Sequence, residues 1–486
     1  MTRPHPLPVL DRRRAGVLLH PTSLPDAAHG ALGQAARSFV DWLVAGGFSV
    51  WQVLPLGPVG ADRSPYFARS NHAGDPNLVD LEALAHEGLI DVAALASRPR
   101  AELFTQAVGA LTGGGPAAPA FARFRADEAH WLADFSLYGA LQAQAGGAPW
   151  WEWAAPLRRR DRAALEAARA ELAAPIAAIE AGQFFFHRQW RALRHYAAER
   201  GVRLFGDLPI YLAPDSVETW AHPELFQLDA TGRPTAVAGV PPDYFSADGQ
   251  LWGNPLYAWE LHEQSGFAWW VERLRAQAEL FDLVRIDHFR GLEAFWAVPA
   301  GARTAATGVW QLAPGDALLR RLREAQGTLA VVAEDLGVIT PEVERLRDDF
   351  GLPGMRVLQF GLDGDPTSLH APHHWVARSV AYSGTHDNDT TAGWFAQLPP
   401  DRRAVVCDYL DSPPERIVEE VVRAVLASVS GLAILPMQDL LGLGSEARMN
   451  VPGTIEGNWC WRFQWSAVPA ELGARCRRWN ALYGRL

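Results

Sequence analysis

Short apolar runs typical of β-strands recur eight times along the chain, and they constrain its fold more than any other feature. Most end in polar residues or in Gly and Pro, and helical patterns separate several of them. Strands that alternate with helices predict a parallel sheet covered by helices. Eight such units predict an α/β fold, a (β/α)8 TIM barrel. The runs lie at 16–20, 50–56, 203–210, 283–287, 329–334, 355–360, 379–383 and 432–437.

Two intervals between these runs are too long for a single crossover helix. Residues 57–202 are predicted to form a largely helical insertion, and residues 211–266 a loop-rich one. Both leave the carboxyl end of a predicted strand, where barrels build substrate sites. After the eighth run only a loop and a closing helix fit, so we expect one barrel over 1–486 without a C-terminal β-domain. Helices are predicted at 35–45, 121–144, 158–180, 183–200, 267–281, 316–326 and 341–350.

The fourth run opens the stretch LVRIDHFRG, in which the apolar residues give way abruptly to charged and polar ones. Side chains alternate faces along a strand, so Arg285 and Asp287 share one face and His288 falls on the other. In a parallel barrel the inward face at the carboxyl end of a strand opens into the catalytic mouth, where Arg285 would keep Asp287 ionised and oriented. For these two residues alone, a nucleophilic carboxylate and an ordinary ion pair explain the pattern equally well.

Further acidic residues end neighbouring runs. Glu334 closes VVAE on the inward face, Asp387 follows the seventh run, and Asp207 lies in the third. Glycoside chemistry needs one carboxylate to attack the anomeric carbon and one carboxylic acid to protonate the departing oxygen. Asp287 and Glu334 fit that pair, and Asp387 can accept hydrogen bonds from sugar hydroxyls. Each acid alone is at least as well explained as a cap or an ion pair, but the three together favour a glycoside-processing site.

The composition excludes several classes of partner. The net charge is -11 with both signs mixed along the chain, and no basic tract indicates nucleic acid. No apolar run approaches ~20 residues and no leader-like segment opens the chain, so we expect a cytoplasmic protein without membrane contacts. The three cysteines, an odd number, do not indicate a disulfide framework. His370, His373 and His374 lack a ligand spacing, and the chemistry needs neither a metal nor a cofactor.

Several longer motifs carry a family resemblance. They are GVLLHPTSLP, SPYFARSNHAGDPNLVDLE, GDLPIY, GVPPDYFSADGQLWGNP, RIDHFRG, AEDLG, THDNDT and PGTIEGNWCWR. Together these stretches span most of the chain. The sequence resembles the 4-α-glucanotransferases called amylomaltases or disproportionating enzymes, glycoside hydrolase family 77, which are related to the α-amylases.

The resemblance implies a role for each matched residue. It makes Asp287 the nucleophile, Glu334 the general acid and base, and Asp387 the stabiliser of the transition state. It also implies that Tyr66 stacks on the sugar bound to Asp287. The substrate-binding residues that it suggests are Tyr66, Asp75, Asp207, Asp243, Trp252, Asn254, Arg285, His288, His386 and Asn458.

The expected reaction is transfer of α-1,4-glucan segments by double displacement through a glycosyl-Asp287 intermediate. The expected partners are maltooligosaccharides, amylose and glycogen-derived α-glucans. Two alternatives remain open at this point. One is a hydrolase of the α-amylase type, and the other is a barrel that binds glucan without catalysis. The three intact carboxylates argue against the second.

Overall fold

The computed structural model describes residues 10–25, 27, 30–60, 62–242, 248–454 and 456–486. Two sheets organise this part of the chain. The strands are β1 Arg14–Leu18, β2 Val50–Gln52, β3 Arg203–Leu208, β4 Ala236–Val240, β5 Gln250–Pro255, β6 Leu283–Ile286, β7 Ala294–Pro299, β8 Val309–Leu312, β9 Val331–Ala333, β10 Gly354–Val357, β11 Ser379–Tyr382 and β12 Leu432–Pro436.

Eight of these strands form one parallel sheet in the order β10-β11-β12-β1-β2-β3-β6-β9. Its two outermost strands also meet, because the N–H of Ala333 in β9 donates to the carbonyl of Pro353, just before β10, at 2.9 Å. The sheet therefore curls into a barrel. Each of the eight predicted runs contains or overlaps one of its strands, so the predicted (β/α)8 fold is confirmed.

Helices surround the barrel and fill the long interval between β2 and β3. They are α1 Gln34–Ala45, α2 Leu81–His86, α3 Arg100–Thr112, α4 Ala118–Asp127, α5 Ala129–Gln144, α6 Ala155–Arg158, α7 Arg162–Glu171, α8 Ala173–Glu199, α9 Val217–Ala221, α10 Trp259–Gln264, α11 Ala268–Leu280, α12 Gly315–Gln326, α13 Pro341–Asp349, α14 Thr391–Gln397, α15 Pro400–Tyr409, α16 Ile417–Ala427, α17 Met437–Leu441 and α18 Leu472–Leu482. No helix in the described part of the chain combines the length and the apolar character that a membrane span requires.

The predicted helix break near Gly182 is wrong. Helix α8 is 27 residues long and continues past that position. The helical region is instead interrupted at Leu172, between α7 and α8. A Cβ at Gly182 would lie 3.3 Å from the ring of Phe104. Close packing against α3 therefore explains this glycine, and a glycine costs a helix interior only ~1 kcal/mol.

The second sheet is antiparallel, has the order β5-β4-β7-β8, and was not predicted. Strands β4 and β5 lie in the interval that was expected to be loop-rich, and β7 and β8 follow the fourth barrel strand. The frequent Gly and Pro around β5 concealed its strand character, because these residues ordinarily indicate turns. This sheet continues from the carboxyl end of β6, so it is built beside the mouth of the barrel.

The barrel strands separate the hydrophobic core into an inner part, inside the barrel, and an outer part, between the barrel and the helices. Alternate side chains fill the interior, among them Phe205, Leu283 and Val332, while Val284 and Ile286 pack outward against the helices. Several of the largest buried side chains are tryptophans, namely Trp51, Trp150, Trp190, Trp220 and Trp270.

Candidate active site

The inward face at the carboxyl ends of β3, β6 and β9 carries the charged residues of the candidate site. Asp207 of β3 lies beside Arg285 of β6 in parallel register, and Arg285 lies beside Val332 of β9. Because side chains alternate along a strand, Asp287 lies on the same inward face two residues after Arg285, and Glu334 lies there two residues after Val332. Strand parity thus explains why these four polar side chains share one space.

Arg285 joins two of the carboxylates. It donates to Asp207 Oδ2 at 2.6 Å and to Asp287 Oδ1 at 2.7 Å. The side chains of Arg285 and Asp207 are 5% and 0% exposed, whereas that of Asp287 is 29% exposed. Asp207 is therefore a buried anchor for the guanidinium, and Asp287 presents its carboxylate to the mouth in a fixed orientation. Charge-assisted bonds of this length are the strong kind.

Glu334 is buried and held by backbone donors. The N–H of His288 donates to its Oε2 at 2.6 Å and the N–H of Leu336 to its Oε1 at 2.9 Å. Burial is the largest influence and raises the pKa of Glu334 to about 8; Asp287 adds to the rise, and Arg285 opposes it. A carboxyl group that keeps its proton at neutral pH suits a general acid. The next residue, Asp335, points to the other face of the strand, as the alternation of side chains predicts. It forms ion pairs there with Arg347 and Arg356.

Asp387 lies on the turn after β11. Its Oδ2 is 3.2 Å from Nε2 of His386, and its Oδ1 accepts a hydrogen bond of 2.6 Å from Asn450. Burial alone would raise its pKa, but His386, Asn450 and Arg285 hold the pKa of Asp387 well below its usual range. The side chain is 45% exposed, so it stays ionised and open to a ligand. Strand β11 ends at Tyr382, so the chain has left strand geometry before His386.

An aromatic wall stands beside these carboxylates. The Tyr66 ring stacks on His386 at 5.0 Å and contacts Trp459 at 5.9 Å. Its hydroxyl donates to Asp207 Oδ2 at 2.7 Å. Burial, and then Asp207, raise the pKa of Tyr66, so the hydroxyl remains a donor. The structure thus brings Tyr66 and His386 to the same face of the site. The Tyr66 hydroxyl connects this face to the charged network through Asp207.

Trp252 and His288 meet on the opposite side. Their rings make an edge-to-face contact at 4.8 Å, and Trp252 also contacts Tyr211. His288 adopts a left-handed backbone, φ 49°, which ends the strand and aims its N–H at Glu334. Burial lowers the pKa of its imidazole to about 4, so the ring is neutral at physiological pH. Strand β5 therefore brings an indole ring next to the residue that follows Asp287.

Three predicted substrate contacts make hydrogen bonds within the protein. Asp75 caps a short helix by accepting from the N–H of Asn77, and Asn254 donates to the carbonyl of Leu212. Asn458 bonds to Val451 and Thr454, so it braces the loop between them. Asp243 falls outside the described residues. Asp75 nevertheless lines a cavity of about 220 Å³ that Trp459 and Arg462 also border.

Sequence reasoning missed two residues near the site. Asn450, which holds Asp387, lies beyond α17 and carries no local signal of its role. His20 follows β1 and lines a cavity with His386, and burial lowers its pKa to about 3. Its place just past the end of a barrel strand, like that of the carboxylates, is a signal that could have indicated it.

Known proteins with a similar sequence and fold belong to one enzyme family. A family model described as 4-alpha-glucanotransferase matches residues 19–467. The chain belongs to the 4-alpha-glucanotransferase family, glycoside hydrolase family 77. The membership predicted from the motifs is confirmed, and with it the class of enzyme and its action on α-glucans.

Individual members of the family match nearly the whole chain. A 4-alpha-glucanotransferase of Thermus thermophilus is 47% identical, covering 96% of this chain and 97% of the relative. One of Synechocystis is 44% identical, covering 98% and 99%. An amylomaltase from Streptococcus agalactiae, solved in complex with acarbose, superposes with a TM-score of 0.95 at 36% identity, covering 98% of this chain and all of the other.

Proposed function

We propose that this 4-alpha-glucanotransferase moves α-1,4-glucan segments from a donor maltooligosaccharide to the 4-hydroxyl of an acceptor glucan or glucose by a retaining double displacement. The observation that carries the proposal is the pairing of Asp287, held by Arg285, with Glu334, which burial keeps protonated. The two carboxyl groups end adjacent strands of one barrel. Retaining glycoside chemistry needs one group in each state.

In the first step Asp287 attacks the anomeric carbon of the donor. A bond forms between its carboxylate oxygen and that carbon while the glycosidic bond breaks. Glu334 gives its proton to the departing oxygen, so the released fragment leaves with a neutral 4-hydroxyl. The product of the step is a glycosyl-Asp287 ester with inverted configuration. The bond from Arg285 holds the Asp287 carboxylate in place, which lowers the entropic cost of reaching the transition state.

In the second step the ionised Glu334 acts as a base. It accepts the proton of an acceptor 4-hydroxyl, whose oxygen attacks the anomeric carbon and displaces Asp287. The second inversion restores the original configuration. Because Glu334 regains its proton and Asp287 its charge, the site returns to its starting state after each transfer.

Asp387 supports both steps by accepting hydrogen bonds from sugar hydroxyls, which strengthen as oxocarbenium character develops. His386 and Asn450 keep its carboxylate ionised and oriented. Tyr66 provides a ring face against the sugar, and Asp207 anchors both Tyr66 and Arg285. The aromatic contact of Trp252 with His288 supports its place as a wall of the donor site.

The remaining predicted contacts act at the edges of the groove. We propose that Asp75 and Asn458 position the segments that border the cavity near Trp459, and that Asn254 holds strand β5 under Trp252. A substrate contact by Asp243 stays a prediction. The proposed donors and acceptors are maltooligosaccharides, amylose and glycogen-derived glucans. A cytoplasmic location and the division of 1–486 into one barrel with insertions at 57–202 and 211–266 also stay predictions.

Incubation with maltotriose alone tests the proposal. Transfer yields free glucose together with maltopentaose and longer chains, while the total number of reducing ends stays nearly constant. Hydrolysis instead adds one reducing end with every turnover. Chromatography of the products combined with a reducing-end assay measures both quantities. A rise in reducing ends that matches the loss of donor would refute transfer and support the amylase-type alternative.

A further inference from the structure

Two histidines and one glutamate lie close together on the outside of the barrel, away from the reacting carboxylates. His72 belongs to the loop after β2, His130 to α5, and Glu272 to α11. Among the described residues these three form a group whose ligand atoms all lie within 4.8 Å of one another. Nε2 of His130 is 3.1 Å from Oε1 of Glu272.

We propose that His72, His130 and Glu272 bind one divalent transition-metal ion of the Zn²⁺ type. Two imidazoles and one carboxylate are a donor set that Zn²⁺ favours, whereas Ca²⁺ and Mg²⁺ prefer oxygen ligands alone. Three protein ligands leave a fourth tetrahedral position for water. The metal would stabilise the fold and take no part in glycosyl transfer, because these residues are not part of the charged network at the barrel mouth.

The distances suit a metal that draws the ligands together slightly. In a tetrahedron with metal–ligand bonds of about 2.0 to 2.2 Å, neighbouring ligand atoms lie about 3.3 to 3.6 Å apart. The His130–Glu272 pair, at 3.1 Å, falls just short of this spacing and would open slightly on binding. The remaining separations reach 4.8 Å at most, and the side chain of His130 is 42% exposed. Its ring can therefore rotate without disturbing packed neighbours.

The surrounding contacts orient the proposed ligands. The His72 ring stacks on Trp131 at 5.4 Å and 10°, and within the described part of the chain no residue forms a hydrogen bond to that ring. Arg275 donates to both oxygens of Glu272, through Nε to Oε2 at 3.0 Å and through the second nitrogen to Oε1 at 2.7 Å. The metal would replace the second of these bonds and keep the first, which then holds the ligating carboxylate in place.

The consequence is a link between three separate parts of the chain. His130 stands 142 residues from Glu272, and α11 leads directly into β6, whose end carries Asp287. The loop of His72 is already tied to α11, because Gln277 donates to the carbonyl of Asn71 at 3.1 Å. A metal at this point would fasten the helical segment between β2 and β3 to the barrel and stabilise the folded chain.

Zinc titration of the full-length, tag-free and chelator-treated protein tests the proposal. Calorimetry should show one Zn²⁺ bound per chain, with a melting temperature that rises as zinc is added. His130→Ala should weaken binding at least about tenfold, and Glu272→Gln similarly. His130 is exposed, so the metal-free variant should fold normally, which circular dichroism checks.

The matched control is His374→Ala, because His373 and His374 form an exposed pair with ring centroids 4.3 Å apart that could collect zinc adventitiously. This control should bind zinc as the wild type does. The proposal is overturned if the wild type takes up no zinc, if His130→Ala binds as tightly as the wild type, or if binding is lost only in His374→Ala. None of these results depends on glucan transfer.

Discussion

Glu334 accepts a hydrogen bond of 2.6 Å from the backbone N–H of His288, the residue that directly follows Asp287. The proposed acid is therefore attached to the end of the strand that carries the proposed nucleophile. The left-handed backbone of His288 makes this contact possible, because it turns the N–H toward β9. The spacing of the two carboxyl groups consequently depends on backbone atoms that no side-chain substitution removes.

Asp287→Ala should abolish transfer, whereas Glu334→Gln should retain a trace of activity. The reason is that a donor with a good leaving group, such as a glucosyl fluoride, needs no protonation by an acid. With maltotriose we expect Glu334→Gln to lose at least ~10²-fold in kcat/KM, and with the fluoride much less. Steady-state kinetics on both donors measures the difference. Equal losses on the two donors would argue against Glu334 as the acid.

The activity should fall as the pH rises through about 8. Burial raises the pKa of Glu334 to about 8, and the first step needs its proton. Below that pH the acid is loaded, and above it the fraction loaded drops about tenfold per unit. A profile of kcat/KM against pH with maltotriose shows the alkaline limb. An activity that is unchanged up to pH 10 would contradict this role.

The same burial predicts a pH-dependent stability. Glu334 is neutral in the folded chain up to about pH 8 but ionises near 4.5 when unfolded, so the wild type loses stability across that window. Glu334→Gln removes the loss, which is on the order of a few kcal/mol. Urea unfolding should show that the variant gains on the wild type between pH 5 and pH 9. Glu324→Gln, an exposed match, should show no such gain.

Asp387→Asn should slow the chemical step more than it weakens binding. Its contacts with sugar hydroxyls are strongest in the transition state, so kcat should fall further than KM rises. Asn450→Ala should act in the same direction but less, because Asn450 orients Asp387 through one bond of 2.6 Å. An effect of Asp387→Asn confined to KM would assign it to binding alone.

Trp252→Ala should increase the ratio of hydrolysis to transfer. Water at ~55 M competes with the acceptor unless the groove holds a sugar hydroxyl in attack geometry, which is worth an effective molarity of 10⁵ M or more. The Trp252 ring borders His288, next to the intermediate, and removing it opens that wall. Reducing ends released per maltotriose consumed measure the ratio. Trp479→Ala in α18 is the control, and an unchanged ratio in Trp252→Ala would mean that this residue does not shield the site.

The sequence by itself determined the eight strands of the barrel and the facing of Arg285, Asp287 and Glu334. Both follow from local periodicity, because a strand buries alternate side chains whatever the rest of the chain does. Resemblance to a family extended this reading to residues in loops. The resemblance could not show that Asn458 forms hydrogen bonds within its own loop, whereas other residues keep their polar groups open to a ligand.

Only the tertiary structure decided which distant residues meet. Asn450 reaches Asp387 across 63 residues, the second sheet joins strands on both sides of β6, and His72 meets His130 and Glu272. No short-range pattern in the sequence specifies these contacts, since each one depends on how distant segments of the chain pack against the barrel. The raised pKa of Glu334 has the same origin, because burial is produced by neighbours from many segments and not by the residues beside it in sequence.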